Sequence, residues 1–264
     1  MKPINLDNFS LENKVVVVTG AGDGIGRGIA LEMAKAGADL VVAELDPKKA
    51  DAAAQGIRDI GAKAQAVVTD VAKNESVDSL LQEAVKHYGR VDVLVNNVGG
   101  VLGVSGGIPF LEISPEFWEK LIHVNMKSTF LCTQAFAKAM IRQGRGGNII
   151  NLSSLADRAP WMPVLIYGSA KAAISNFTVN TATELGKYQI RVNAICPGTI
   201  ETPLVAELYR DMPEVKEKRL KSVPLGRLGT PEDIGKVAVF LASDAASYVS
   251  GTTIVVSGGL TSFL

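Results

Sequence analysis

The chain has 264 residues and a formal net charge of zero, from 27 basic and 27 acidic side chains. That length suits one α/β domain with a large buried core, and the balanced charge gives no electrostatic footprint for nucleic acid or an anionic membrane. Met1 to Ser10 include Pro3 and Asp7 and lack an apolar segment, and apolar runs elsewhere are too short to span a bilayer, so a soluble cytoplasmic protein is expected.

The first apolar run, Val15 to Val18, lies in a predicted strand Lys14–Thr19 and enters Thr19-Gly20-Ala21-Gly22-Asp23-Gly24-Ile25-Gly26. Ile25, Ile29 and Met33 then recur at helical spacing, which reads as strand, tight glycine turn and helix start. Glycine removes the Cβ that would block close approach and permits positive φ, so backbone N–H groups and the positive helix end can meet a pyrophosphate. The second predicted strand, Asp39–Glu44, ends in Glu44, eighteen residues beyond Gly26. A dinucleotide fold presents a carboxylate to the ribose 2′-hydroxyl near there. This favours NAD over NADP, because a 2′-phosphate about 4 Å from Glu44 would be repelled by several kcal/mol at an effective dielectric of about 20. Asp46 is a second candidate, and no compensating cation is evident beside Ala21, Gly22, Asp23 or Leu45.

Further strands are predicted at Lys63–Asp70, Val91–Asn96, Asn148–Ser153, Arg191–Cys196 and Thr252–Val256, with helical segments between them. The stripe Val77, Leu80, Leu81, Ala84 and Val85 is the core face of one such helix. Right-handed crossovers on this alternation predict a doubly wound, Rossmann-type parallel sheet of about seven strands with helices on both faces. The ligand crevice then falls at the carboxyl ends of the strands, near the switch point. Glycine-rich Gly99–Gly107 and Thr199–Ser222, a polar and charged stretch around helical patches, are the candidate substrate-side loops. Cys132 and Cys196 stand in apolar surroundings without Cys-x-x-Cys, and His87 and His123 are isolated, so core thiols and no metal site are expected.

Tyr167 and Lys171 head an Ala-rich helical stretch, four residues apart and on one face. A phenol titrates near pH ~10, and serving as a base near neutrality requires a fall of about 3 units, or roughly 4 kcal/mol. An ammonium about 5 Å away at an effective dielectric of about 20 supplies roughly 3 kcal/mol, and a cationic cofactor ring would add to it. The spacing alone also describes an ordinary surface helix; the glycine turn upstream gives it weight.

With these positions assembled, the chain from about Leu11 to Gly259 resembles the classical short-chain dehydrogenase/reductases. Their Thr-Gly-x-x-x-Gly-x-Gly matches Thr19 to Gly26, and their Asp-Val matches Asp70-Val71. Their Asn-Asn-Ala-Gly appears as Asn96-Asn97-Val98-Gly99, where Val98 is a departure whose bulk is expected to be absorbed by packing. Their catalytic asparagine falls on Asn125, their Tyr-x-x-x-Lys on Tyr167 and Lys171, and their serine on Ser154. Only the thirteen-residue spacing to Tyr167 selects Ser154 over Ser153.

The resemblance implies that Tyr167 exchanges the substrate proton while Ser154 hydrogen-bonds the same oxygen. Lys171 would hold the nicotinamide ribose and depress the Tyr167 pKa, and Asn125 would orient a water; by itself Asn125 reads equally as a buried amide bonded to backbone. The implied dinucleotide contacts are Gly20, Asp23, Gly24, Ile25, Gly26 and Glu44, then Asp70, Val71, Asn97 and Gly99, with Pro197, Gly198, Thr199 and Thr202 beside the nicotinamide. The implied activity is hydride transfer between NAD(H) and a secondary alcohol or ketone, as in hydroxysteroid and sugar dehydrogenases. A 3-oxoacyl thioester reductase is the alternative, its usual NADPH disfavoured by Glu44, and a non-catalytic NAD(H)-binding regulator is a third reading.

Apolar Leu155, Ala159, Pro160, Trp161, Met162 and Val164 before Tyr167 suit a hydrophobic, alicyclic substrate, and suit core or interface packing equally well. Asp157 and Arg158 in that stretch are expected as exposed loop charges, with contact to a polar substituent of the substrate as the alternative. A homotetramer is implied, with Leu260, Phe263 and Leu264 available for subunit packing.

Overall fold

The computed structural model describes residues 6–103, 107–158 and 164–260. Strand β1 (Val15–Thr19) is followed by α1 (Gly24–Lys35), β2 (Asp39–Glu44), α2 (Pro47–Asp59), β3 (Ala64–Val68), α3 (Asn74–Tyr88) and β4 (Val93–Asn96). The second half runs α4 (Pro115–Ile122), α5 (Ser128–Gln143), β5 (Gly147–Leu152), α6 (Leu165–Leu185) and β6 (Ile190–Pro197), then α7 (Pro203–Asp211), α8 (Pro213–Ser222), α9 (Pro231–Ala242) and β7 (Thr253–Val256). The strands form one seven-stranded sheet in the order β3-β2-β1-β4-β5-β6-β7, and every pair is parallel. The order reverses between β1 and β4, so the chain leaves the two strands in opposite directions and opens a crevice above them.

All five residues of β1 are buried because both sheet faces are covered. The period of two sends Val16 and Val18 into a layer with Ile29, Met33, Ile234 and Leu241, while Val15 and Val17 meet Leu80, Phe136 and Met140 on the other side. Helix starts are set by short polar caps followed by proline, whose missing N–H costs nothing in the first turn. Asp46 caps α2, Ser114 caps α4 and Thr202 caps α7, and Thr230 forms a capping box with Asp233 at α9.

Two segments depart from the sequence reading. The predicted strand Lys63–Asp70 ends at Val68, because Asp70 turns the chain by accepting from Ala72 N through Oδ1 (3.1 Å). The predicted strand Val91–Asn96 begins only at Val93, while the helical patches read in Thr199–Ser222 are α7 and α8. Between α4 and α5 the chain passes through a π-helical turn, His123–Lys127. Among the described residues, no helix is long and apolar enough to cross a membrane.

Candidate active site

The glycine turn is held open from β4. Gly20 and Gly24 have φ of +62° and +54°, and a Cβ on Gly26 would lie 2.1 Å from the Gly20 carbonyl oxygen. Asn97 donates through Nδ2 to the Thr19 and Gly20 carbonyls at 3.0 and 3.1 Å, fixing the turn to the end of β4. Asp23 caps α1, accepting from Gly24 N at 2.7 Å, and Ile25 packs against the core. The expected bulk of Val98 is taken up by packing under the sheet, with Cγ2 3.1 Å from where a Gly20 Cβ would stand.

Glu44 turns toward this turn. Its carboxylate accepts from Gly22 N at 3.1 Å and from Leu45 N at 2.8 Å. Asp46 accepts from Lys48 N and Lys49 N at the start of α2, so capping occupies it and Glu44 is the carboxylate at the crevice. One expectation is corrected here: a cation does stand nearby, since Lys49 Nζ lies 3.2 Å from Asp23 Oδ2. Helical rise brings it back to the turn from a position the local sequence does not mark. Asp70 is braced by Ser76, whose hydroxyl accepts from Asp70 N at 2.9 Å, and Val71 is buried beside it.

On the other side of the switch point, Ser154 follows β5 and caps the short turn Leu155–Asp157, accepting from Ala156 N at 3.2 Å. Its hydroxyl stands on the Tyr167 side of the turn and favours the ionised phenol. Ser153 points away, toward α6, which supports the choice of Ser154 made on spacing. Lys171 is buried, with Nζ 5.5 Å from the Tyr167 ring centroid and donating to the Leu152 carbonyl at 2.7 Å.

The expected depression of the Tyr167 pKa is not found. Burial pushes the phenol above its ordinary value; the Ser154 hydroxyl opposes this, and Cys196 and Asp157 add to it. The same burial pulls Lys171 down to about 8, so desolvation outweighs the attraction counted from spacing alone.

Asn125 sits in the π turn and is fully buried. Its Nδ2 donates to the Gly100 and Leu121 carbonyls, both at 3.0 Å, and its Oδ1 accepts from Gly100 N at 3.0 Å. Both amide donors are therefore occupied, and one Oδ1 lone pair remains. A Cβ on Gly99 would lie 2.5 Å from Asn125 Oδ1 and 3.0 Å from Lys171 Nζ. Pro197 ends β6, Gly198 N donates to Val256 O at 2.9 Å, and Thr199 O accepts from Gly229 N at 3.0 Å. Thr202 reaches across the crevice, its methyl 3.3 Å from the position a Gly24 Cβ would take.

Beside Tyr167 opens an apolar recess lined by Val101, Ile108, Ile113, Phe117, Leu121 and Val164. Of the apolar residues expected here, Val164 lines it and Leu155 is core, while Ala159, Pro160, Trp161 and Met162 lie outside the described residues, as do Phe263 and Leu264. Asp157, expected as an exposed loop charge, is the opposite: its side chain is 2 % exposed. Ser153, Ser175 and Arg158 surround it. The only sequence signal was a serine four residues earlier.

Also unmarked in the sequence is a buried chain in which Asn96 donates to Thr133 and Asn151, and Asn151 to Thr178. His123 is tied to the Ala72 carbonyl at 2.8 Å, and both cysteines are buried and free. Among the described residues no group of three or more His, Cys, Asp or Glu side chains could hold a metal ion.

These residues fit a dinucleotide. The glycine turn and helix start of α1 suit its phosphates, Glu44 a ribose, and the space that Gly99 leaves before Lys171 a second ribose.

A family model described as enoyl-(acyl carrier protein) reductase matches residues 20–261. The chain is 40 % identical to an L-rhamnose-1-dehydrogenase of Scheffersomyces stipitis, over 95 % of this chain and 96 % of that one. It belongs to the short-chain dehydrogenase/reductases. A solved 7α-hydroxysteroid dehydrogenase complexed with NADH and 7-oxo glycochenodeoxycholic acid superposes with a TM-score of 0.91 at 37 % identity, covering 97 % of this chain and 98 % of that one. A putative 2-deoxy-D-gluconate 3-dehydrogenase of Agrobacterium tumefaciens with bound NADP gives 0.85 at 35 % identity, covering 96 % and 98 %. This short-chain dehydrogenase/reductase is thus an oxidoreductase acting on CH–OH donors.

Proposed function

We propose that the chain is a single dinucleotide-binding and catalytic domain that transfers hydride between NAD(H) and a secondary alcohol or its ketone on a hydrophobic, alicyclic body. The observation that carries this reading is the meeting of Ser154, Tyr167 and Lys171 at the edge of an apolar recess. When bound, the nicotinamide supplies or accepts the hydride and, in its oxidised form, brings a positive charge beside the phenol.

Tyr167 gives its proton to the ketone oxygen in reduction and takes one from the alcohol in oxidation. Ser154 donates a hydrogen bond to the same oxygen and holds it in line. Lys171 has one donor on Leu152 and presents the others to ribose hydroxyls. The remaining lone pair of Asn125 accepts a water that leads protons toward solvent. Because burial keeps the phenol protonated, the ligand-free site is prepared to donate, and oxidation gains as pH rises.

Glu44 supports NAD, and Lys49 is where tolerance of NADP would originate. The description of the family model favours a second reading, a 3-oxoacyl thioester reductase, against which Glu44 argues. The half-exposed apolar side chains Phe130 on α5 and Leu165 and Val179 on α6 support a subunit contact within a cytoplasmic homotetramer, checked by mass in solution. A panel of steroid, alicyclic and sugar alcohols, their ketones and 3-oxoacyl thioesters, each offered with both dinucleotides, tests the whole reading by nicotinamide absorbance. Turnover of an alicyclic alcohol with NAD is expected; turnover confined to thioesters with NADPH, or none at all, would sink it.

A further inference from the structure

Behind the proton-exchanging pair lies a carboxylate that this chemistry does not use. Asp157 Oδ2 accepts from Ser175 Oγ at 2.7 Å, and Arg158 grips both oxygens, Nε to Oδ1 at 2.6 Å and Nη2 to Oδ2 at 3.0 Å. Ser153 Oγ lies 3.0 Å from both Asp157 Oδ2 and the Lys171 carbonyl and 2.8 Å from Ser175 Oγ, with one proton to share among them. A buried carboxylate without such partners would take up a proton; here the hydrogen bonds and the guanidinium hold it ionised against the cost of burial.

The arrangement joins three elements at the reacting groups. Ser153 immediately precedes Ser154, and Asp157 N donates to the Ser154 carbonyl at 2.9 Å. The turn is pressed against α6 where Gly168 makes room, since a Cβ there would lie 2.6 Å from the Ala156 carbonyl oxygen. Ser175 lies one helical turn beyond Lys171 and ties Asp157 to that helix. The titratable and charged groups around the carboxylate are Arg158 on its own turn, Tyr167 on α6 and Cys196 on β6. Arg158 is 41 % exposed, so its compensation is screened by water, whereas the Asp157 carboxylate faces Tyr167 through protein.

We infer that Asp157 is a positioning residue, a charged anchor that fixes Ser154 and its turn against Tyr167 and Lys171 on α6. The inference rests on the proposed hydride transfer for its purpose, yet the anchor's charge can be read at Tyr167 without turnover. Protein carrying tyrosine labelled with ¹³C at Cζ has five such resonances, and the one lost in Tyr167→Phe is Tyr167. Its titration midpoint should fall by roughly half a pH unit or more in Asp157→Asn, where the negative charge is gone, and rise in Arg158→Gln, where that charge is uncovered.

Ser175→Ala removes a hydrogen bond and no charge, so it should lower kcat while leaving the midpoint in place. In Asp157→Asn, kcat at the pH plateau should fall about tenfold, with the KM for the dinucleotide changed less than about twofold. A midpoint that stays or rises in Asp157→Asn overturns the inference. If that variant does not fold, Arg158→Gln decides: an upward move supports the inference and an unmoved midpoint ends it. A wild-type protein that turns over nothing on the panel would defeat hydride transfer, leaving the midpoints to judge Asp157 separately.

Discussion

The two sides of the crevice are made of different material. Between β1, β2 and β4 the surface is backbone, and side chains such as Asn97, Asp23 and Glu44 are spent on holding it in shape. Between β5 and α6 it is side chain, with Ser154, Tyr167 and Lys171 projecting from a turn and a helix fixed by buried polar contacts. A backbone surface is damaged by adding atoms, and a side-chain surface by removing them. Burial on the second side drives Tyr167 and Lys171 away from their ordinary values.

The sharpest way to break the contrast is Tyr167→Phe, which deletes one oxygen from the side-chain surface. Turnover should fall by about a thousandfold or more while NADH affinity, followed by fluorescence, stays within about threefold. Near wild-type turnover would remove Tyr167 from the chemistry.

Next comes Lys171→Met. The unfolded chain keeps this proton up to the ordinary 10.5, but the folded protein releases it near 8. Below pH 8 folding must therefore bury an ammonium, a penalty of roughly 3 kcal/mol that fades as pH climbs from 8 toward 10.5. The substitution should raise stability in urea at pH 7, gain less at pH 10, and weaken dinucleotide binding. Wild-type dinucleotide affinity from pH 6 to 9 should fall as pH passes about 8, because the ammonium that faces the ribose is lost.

On the backbone side, Gly26→Ala adds one carbon 2.1 Å from the Gly20 oxygen and 2.5 Å from Asn97 Nδ2. A loss of about 2 kcal/mol in melting, with weaker NADH binding, is expected. The mildest change is Glu44→Gln, which keeps an acceptor for Gly22 N and removes the charge. The NAD-over-NADP ratio of kcat/KM should drop about tenfold, and an unchanged ratio would mean Glu44 does not select the dinucleotide.

The backbone side was the more legible in sequence. Val15 to Val18 and the glycines after them announce strand and turn directly, because a conformation open to few residue types leaves its mark on composition. The pairing of Tyr167 with Lys171 was readable for the same reason: both lie on one helix, whose period is fixed. What escaped depends on contacts across elements. Asp157 looked like a loop charge because Ser175, which holds it, belongs to another element and carries no label of its purpose. Lys49 was overlooked because α2 folds it back toward Asp23. The direction of the Tyr167 shift was misjudged because distance to a cation can be inferred from spacing, whereas exclusion of water cannot.

The π turn at His123–Lys127 holds one residue more than an α-helical turn would between α4 and α5. Deleting any one of its five residues would let the two helices wind on as a single α-helix. The widened turn takes up its extra residue locally, so Phe117 and Leu121 would keep their places on the wall of the recess, and the change would fall on Asn125 inside the turn. The widened turn thus separates two tasks along one stretch of chain, the placing of a buried amide and the lining of a recess, so that either can be altered without turning the other.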